Sequence, residues 1–96
     1  MAVPRNRCNE TYQRVDGVSS REVGESTFLI DPRHDRIHQL NALGAAAWRQ
    51  LAAPVSAAEL IEAFHIAFPD VPRARIEQDV VALLDELLGA DLIVKA

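Results

Sequence analysis

Arg36-Ile37-His38-Gln39-Leu40-Asn41-Ala42-Leu43-Gly44-Ala45-Ala46-Ala47-Trp48-Arg49-Gln50-Leu51 contains the switch from one backbone geometry to another. Up to Leu40 the chain reads as short strands. Arg36 to Leu40 is a five-residue strand that follows the turn Asp31-Pro32-Arg33-His34. Pro presets φ at the second turn position, and Asp at the first can bond the backbone two residues on. After Leu40 the apolar period lengthens from two to 3.6. Asn41 is a good N-cap, and Leu43, Ala47, Trp48 and Leu51 share one face of a helix that runs to about Ala52 and is stopped by Pro54.

Working toward the N-terminus, Val23 to Ile30 predicts a strand, since Phe28-Leu29-Ile30 suits a pleated surface. Thr11 to Val15 predicts an earlier strand, closed by the turn dipeptide Asp16-Gly17. The three pieces are expected to form one meander. Residues 1–10 are polar and aperiodic and read as a loose arm. Toward the C-terminus, Ser56-Ala57-Ala58-Glu59 is a capping box that opens a second helix. Its stripe is Leu60, Ile61, Phe64 and Phe68, and it ends before Pro69. A third helix starts at Asp70-Val71-Pro72, buries Ile76, Val80, Leu83, Leu84, Leu87 and Leu88, and finishes at Gly89. Leu92-Ile93-Val94 is expected to fold back on the core. The predicted fold class is α+β: a three-stranded antiparallel sheet followed by three helices, in a winged helix-turn-helix-like arrangement over residues 11–96.

A chain of 96 residues suits one small domain. Fifteen alanines and only five aromatic residues imply a thin core built from Leu, Ile and Val. No apolar run approaches the ~20 residues needed to span a bilayer, and the N-terminus lacks an apolar signal segment. A cytoplasmic protein with no membrane partner is therefore expected. Net charge is −4 and unevenly spread. Residues 1–49 have seven basic and six acidic groups, whereas residues 50–96 have three and eight. Nucleic-acid affinity depends on cations placed against phosphates, so the acidic helical half argues against that partner.

The search for catalytic chemistry returns little. His34 and His38 are four apart, but a turn and a strand hold them, so the helical metal-ligand reading fails and both are expected to face solvent. His65 lies beside the apolar stripe of the second helix, Cys8 has no neighbouring base, and Asp85-Glu86 point about 100° apart on a solvated face. Trp48 reads as core, and Gly44 as a place where a neighbouring backbone comes close. Phosphate-binding, hydrolase and metalloprotease motifs are missing. No enzyme activity, cofactor or metal is expected.

An open three-stranded sheet leaves edge strands with unpaired N–H and C=O groups. With Arg36 to Leu40 at one edge and the third helix across from it, Val80, Leu83 and Leu84 would form the far wall of a groove suited to strand addition. The other readings are an edge covered by the N-terminal arm or by a second copy.

Phe28-Leu29-Ile30-Asp31-Pro32, Ile37-His38-Gln39-Leu40-Asn41, Ala45-Ala46-Ala47-Trp48-Arg49-Gln50-Leu51, and Ile76-Glu77-Gln78-Asp79-Val80 through Leu83-Leu84-Asp85-Glu86-Leu87 to Asp91-Leu92-Ile93 together resemble the PqqD-like family. The resemblance covers roughly residues 23–94. It implies a recognition element, without an active site, for ribosomally made and post-translationally modified peptides. Such an element binds a precursor's leader segment as an added strand and presents the rest to a modifying enzyme, such as a radical SAM maturase or a leader protease or cyclase. Transferred by position, Arg36, Ile37, His38, Gln39 and Leu40 would offer the pairing edge, and Arg75, Asp79, Val80, Leu83 and Leu84 the helix wall. Leu40, Asn41 and Trp48 would be mainly structural. Two departures stand out. Asp31-Pro32-Arg33 replaces the Pro-Glu step of members dedicated to pyrroloquinoline quinone synthesis, and Asp91 replaces the usual Gly before the terminal Leu-Ile.

The resulting expectation is a peptide chaperone, monomeric or weakly dimeric. The alternative from another class is a winged-helix DNA-binding regulator, with Arg73 and Arg75 in its favour and Glu77, Asp79, Asp85 and Glu86 against it. A structural subunit that dimerises through its sheet edge is a third.

Overall fold

The structure, a computed structural model, describes residues 10–96. Strands β1 (Thr11–Arg14), β2 (Ser19–Val23), β3 (Ser26–Asp31) and β4 (Arg36–Leu40) come first. Helix α1 (Ala42–Gln50), strand β5 (Val55–Ser56), helices α2 (Ala57–Ala67) and α3 (Arg73–Gly89), and strand β6 (Ile93–Lys95) follow. Apart from Glu10, the arm read from sequence lies outside the described residues, as does Cys8. Glu10 itself is tied down: its carboxylate accepts from Tyr12 Oη at 3.1 Å and from Lys95 Nζ at 3.3 Å.

The α+β architecture is the expected one, with a three-stranded antiparallel meander and three helices, but the meander has different members. It runs β2-β3-β4. The strand read as Val23 to Ile30 is in fact split by a hairpin, with Val23 opposite Ser26. The two-residue loop puts Gly24 at φ +61° in its first central position, a conformation glycine adopts without steric cost. β2 escaped the period-two reading because all five of its residues are exposed, leaving no alternation to detect. β1 belongs elsewhere. It pairs antiparallel with β5 and β6 in a second small sheet, Tyr12 lying opposite both Val55 and Lys95. Its partners come from segments more than forty and eighty residues away, so no local signal could have announced them.

Capping chemistry opens α1 and α2 where the sequence reading places their starts. Asn41 Oδ1 accepts from Gly44 N at 2.8 Å and opens α1. Both halves of the Ser56/Glu59 box are made, each at 3.1 Å. α3 starts at Arg73 with Pro72 at its N-cap, later than the start read at Asp70-Val71-Pro72, so Pro72 precedes the first turn. Phe68 falls outside α2 and is 45% exposed, so it leaves the predicted stripe. The end of α3 also differs. Gly89 stays helical, and the left-handed residue is Asp91 at φ +60°. Leu92 N bonds Leu87 O at 2.9 Å and Asp91 N bonds Leu88 O at 3.1 Å, the paired bonds of a Schellman motif. That turn sends Leu92 and Ile93 back into the core, as the apolar tail required.

One core joins these elements: Tyr12 and Leu29 from the strands, Trp48 and Leu51 around α1, Leu60, Ile61 and Phe64 from α2, and Ile76, Val80, Leu84 and Leu87 from α3, with Leu92 and Ile93. Leu29 is the only residue of the meander in that buried set among the described residues. The meander is therefore held to the helical body by few apolar contacts. Leu84 sits at 4% exposure in the middle of the core, and Leu84→Ala is expected to cost about 2–5 kcal/mol, the range for large-to-small changes in packed interiors, as read from the urea midpoint with an unchanged m value.

Candidate functional site

β4 is an edge strand. It pairs with β3 along Thr27–Leu40, Phe28–Gln39, Leu29–His38, Ile30–Ile37 and Asp31–Arg36, and no strand pairs with its other side among the described residues. Five residues at about 3.3 Å each leave roughly 17 Å of open backbone. α3 runs across from that edge. Two adjoining hollows of about 370 and 310 Å³ lie between them and share Gln39, Leu40, Leu83 and Glu86. One extends under Asn41 and Gly44 at the start of α1. The other extends past Ile37 and His38 to Leu87, Ala90 and Leu92.

Of the residues read as the pairing edge, Ile37 to Leu40 line these hollows, and exposed Arg36 begins the same strand. The helix wall is shifted. Leu83 lines both hollows, whereas Val80 and Leu84 are 0% and 4% exposed and support the helix from inside the core. Arg75 and Asp79 line neither hollow. They pair with each other at 3.3 Å, about two turns and one turn before Leu83 respectively on the same stripe. At 100° per residue, Asp79, Leu83, Glu86 and Ala90 fall within about 60°. Glu86, Leu87 and Ala90 are the wall residues that the sequence reading missed. The period of the stripe was visible, but a helix that is apolar at positions 80, 83, 84 and 87 presents two candidate faces, and only packing selects between them. Gly44 has a different neighbour from the one expected. A Cβ there would meet Asn41 Oδ1 and Leu40 Cδ2 at 3.3 Å each, a cap oxygen and a side chain, at the end of the first hollow.

What fixes the two walls relative to each other is a polar clasp at one end. Asp31 is fully buried at the end of β3. Its Oδ1 accepts from Arg33 N at 3.1 Å, the bond two residues on that the turn chemistry predicts, and from Arg33 Nε at 3.0 Å. Its Oδ2 meets Arg33 Nη2 at 3.2 Å and His34 Nδ1 at 2.7 Å. Arg33 Nη2 also donates to the carbonyl of Asp91 at 2.8 Å, and the Asp91 carboxylate lies 3.7 Å from His34 Nε2. The β3–β4 turn is thereby tied to the C-terminus of α3. Both sequence departures, Arg33 and Asp91, meet in this contact. Asp91 accepts a left-handed backbone that costs a non-glycine residue of order 1 kcal/mol, and its side chain faces the cations of the turn.

The histidines separate. His34 belongs to the clasp. His38 is half-buried in the groove wall, in place of the solvent-facing position expected, because it sits opposite Leu29 on the inner face of the meander. His65 is half-buried on α2. Nε2 of His38 and Nδ1 of His65 are buried with no hydrogen-bond partner among the described residues. No group of three or more metal-ligating side chains occurs among those residues, and no helix is long and apolar enough to cross a membrane. The arginines that favoured a DNA-binding reading are engaged: Arg73 pairs with Glu62 at 2.6 Å and Glu77 at 3.4 Å, and Arg75 with Asp79.

Among the described residues the arrangement is a cleft of peptide width, bounded on one side by a strand edge that no other strand pairs. The chain belongs to the PqqD family, since the family profile of coenzyme PQQ synthesis protein D matches residues 26–93. No curated protein matches it. Among solved structures it is similar to TbiB1 in complex with the TbiA(beta) leader peptide, at 22% identity and TM-score 0.74 over 84% of this chain and 93% of that one. It is similar also to a lasso peptide synthetase B1 complexed with its leader peptide, at 23% identity and TM-score 0.73 over 86% and 96%. The third is the PqqD truncation of Methylobacterium extorquens PqqCD, described as a functional and stand-alone recognition element for ribosomally synthesized and post-translationally modified peptides. It matches at 17% identity and TM-score 0.75 over 91% and 92%. At these identities the likeness is one of fold.

Hydrogen bonds from Arg33, and next from His34, hold the Asp31 carboxyl well below the usual carboxylate range, outweighing the effect of burial. An unfolded Asp titrates near 4, so the stability from this group is present above that pH and is lost as pH falls toward the lower folded value. Asp31→Asn should accordingly lower the urea midpoint at pH 7. Its deficit against the parent should narrow below about pH 4.

Proposed function

We propose that this protein is a peptide chaperone that takes the leader segment of a ribosomally made precursor as a further strand on β4. The leader lies opposite α3, and the remainder of the precursor is presented to a modifying enzyme. The observation that supports this reading is the edge of Arg36–Leu40, which no strand pairs among the described residues, facing α3 across a groove. Family membership adds to it, as do two solved relatives of the same fold that hold leader peptides. The recognition unit is assigned to residues 11–96.

Energetics indicate what the groove must contribute. Ordering five backbone residues costs about 5–10 kcal/mol at 1–2 each, while about five new main-chain hydrogen bonds return only 0.5–1.5 each. Pairing alone does not close that gap. Two or three apolar side chains of the guest, at about 1.5–3 kcal/mol each when buried, do so if they enter the hollows lined by Leu40, Leu83, Leu87 and Leu92. Backbone pairing then supplies geometry, and the hollows supply selectivity. The chain performs no bond chemistry in this role. Tethering raises the local concentration of the precursor beside its enzyme to the order of mM for a short flexible link. A radical SAM maturase, a leader protease or a cyclase is the class of enzyme served.

Titration of labelled protein with the leader of its cognate precursor should move the amides of Arg36–Leu40 and Leu83–Ala90 together. Shifts confined to other regions would refute the groove. Leu83→Glu places a charge between the hollows and should weaken the leader at least tenfold, while the urea midpoint falls far less than for Leu84→Ala.

A further inference from the structure

Resting on the leader-groove reading, we infer that the segment this groove accepts carries a Lys or Arg whose side chain meets Glu86, among aliphatic residues at alternate positions. Glu86 lines both hollows. It is an exposed carboxylate with no ion pair or hydrogen bond among the described residues, unlike its neighbours along α3. Arg75 holds Asp79, and Arg73 holds Glu62 and Glu77. Neither cation nearest the groove pairs with Glu86. Arg33 is bound to Asp31 and Asp91 in the clasp, and Arg36, exposed at the start of β4, makes no ion pair with it among the described residues.

A guest strand on β4 necessarily passes over Glu86, because the residue borders both halves of the groove. Covering an unpaired carboxylate withdraws it from water, which is unfavourable unless a donor replaces the lost hydration. A Lys or Arg side chain is the donor that also matches its charge. Beside Glu86 on α3, Leu83, Leu87 and Ala90, with Leu40 on the strand side, are the apolar members of a lining that also holds His38, Gln39 and Asn41, and they select aliphatic side chains. Side chains on one face of a strand recur every two residues, about 7 Å apart. The cation and the aliphatic residues therefore sit on the same face, in a fixed alternate register.

The probe is a displayed library of random 12-residue peptides, selected against the full chain and against Glu86→Gln and Glu86→Lys. Selected peptides are then synthesised and titrated with amide-shift readout. The parent is expected to enrich peptides with Lys or Arg at one fixed position relative to an aliphatic pair. Glu86→Gln, or Lys→Gln in the peptide, should each weaken binding about fivefold, the upper range for a solvent-accessible ion pair. The two changes together should cost little more than either alone. Glu86→Lys should move the preference at that position to Asp or Glu. Peptides that shift Arg36–Leu40 and Leu83–Ala90 but show no fixed basic position, or are indifferent to Glu86→Gln, overturn this inference and leave the groove reading standing. Failure to enrich any peptide, or shifts elsewhere on the molecule, overturns both.

Discussion

The buried carboxylate of Asp31 is the constraint on which the site geometry depends. The meander contributes only Leu29 to the buried core, so apolar burial alone gives it little purchase on the helices. Asp31 compensates by gathering the turn around itself. Arg33 reaches on to the carbonyl of Asp91 at the end of α3. A charge with 0% exposed surface is tolerated only when paired and hydrogen-bonded. Here both oxygens are satisfied by the same segment that connects β3 to β4. The tie therefore fixes the separation of strand and helix at one end, and with it the width of the cleft between them.

This construction also gives a physical meaning to two residues that look anomalous in sequence. A left-handed position after a helix ordinarily favours glycine. Asp91 accepts the backbone penalty and in exchange presents a carboxylate to Arg33 and His34. The departure at Arg33 and the departure at Asp91 are one structural change seen from two places. Each would be hard to rationalise without the other.

How much of this was legible beforehand divides along the range of the interactions. Asn41, the Ser56/Glu59 box and the Asp31 turn act over two or three residues, and all were read from spacing alone. The alternation of Arg36–Leu40 and the stripes of α2 and α3 gave the edge and the helices opposite it. What escaped was non-local or unpatterned. The sheet joining β1, β5 and β6 brings together residues near positions 12, 55 and 94, and β2 is exposed on both faces. On α3 the apolar pattern alone does not choose which side borders the cleft. Val80 and Leu84 were placed on the cleft because they are apolar, yet that is the very property that takes them into the core, leaving Leu83 and Glu86 on the rim.

An edge kept open for a guest is also open to a copy of itself. β4 has a ladder of backbone groups that no strand pairs among the described residues and, near its start, an Ile37 that is 69% exposed, features that favour stacking of one molecule on another. The shortness of the strand and the charge of Arg36 at its end oppose such self-templating. The working concentration of this protein is bounded from above by its own solubility, and a saturating supply of guest peptide would act as its antiaggregant.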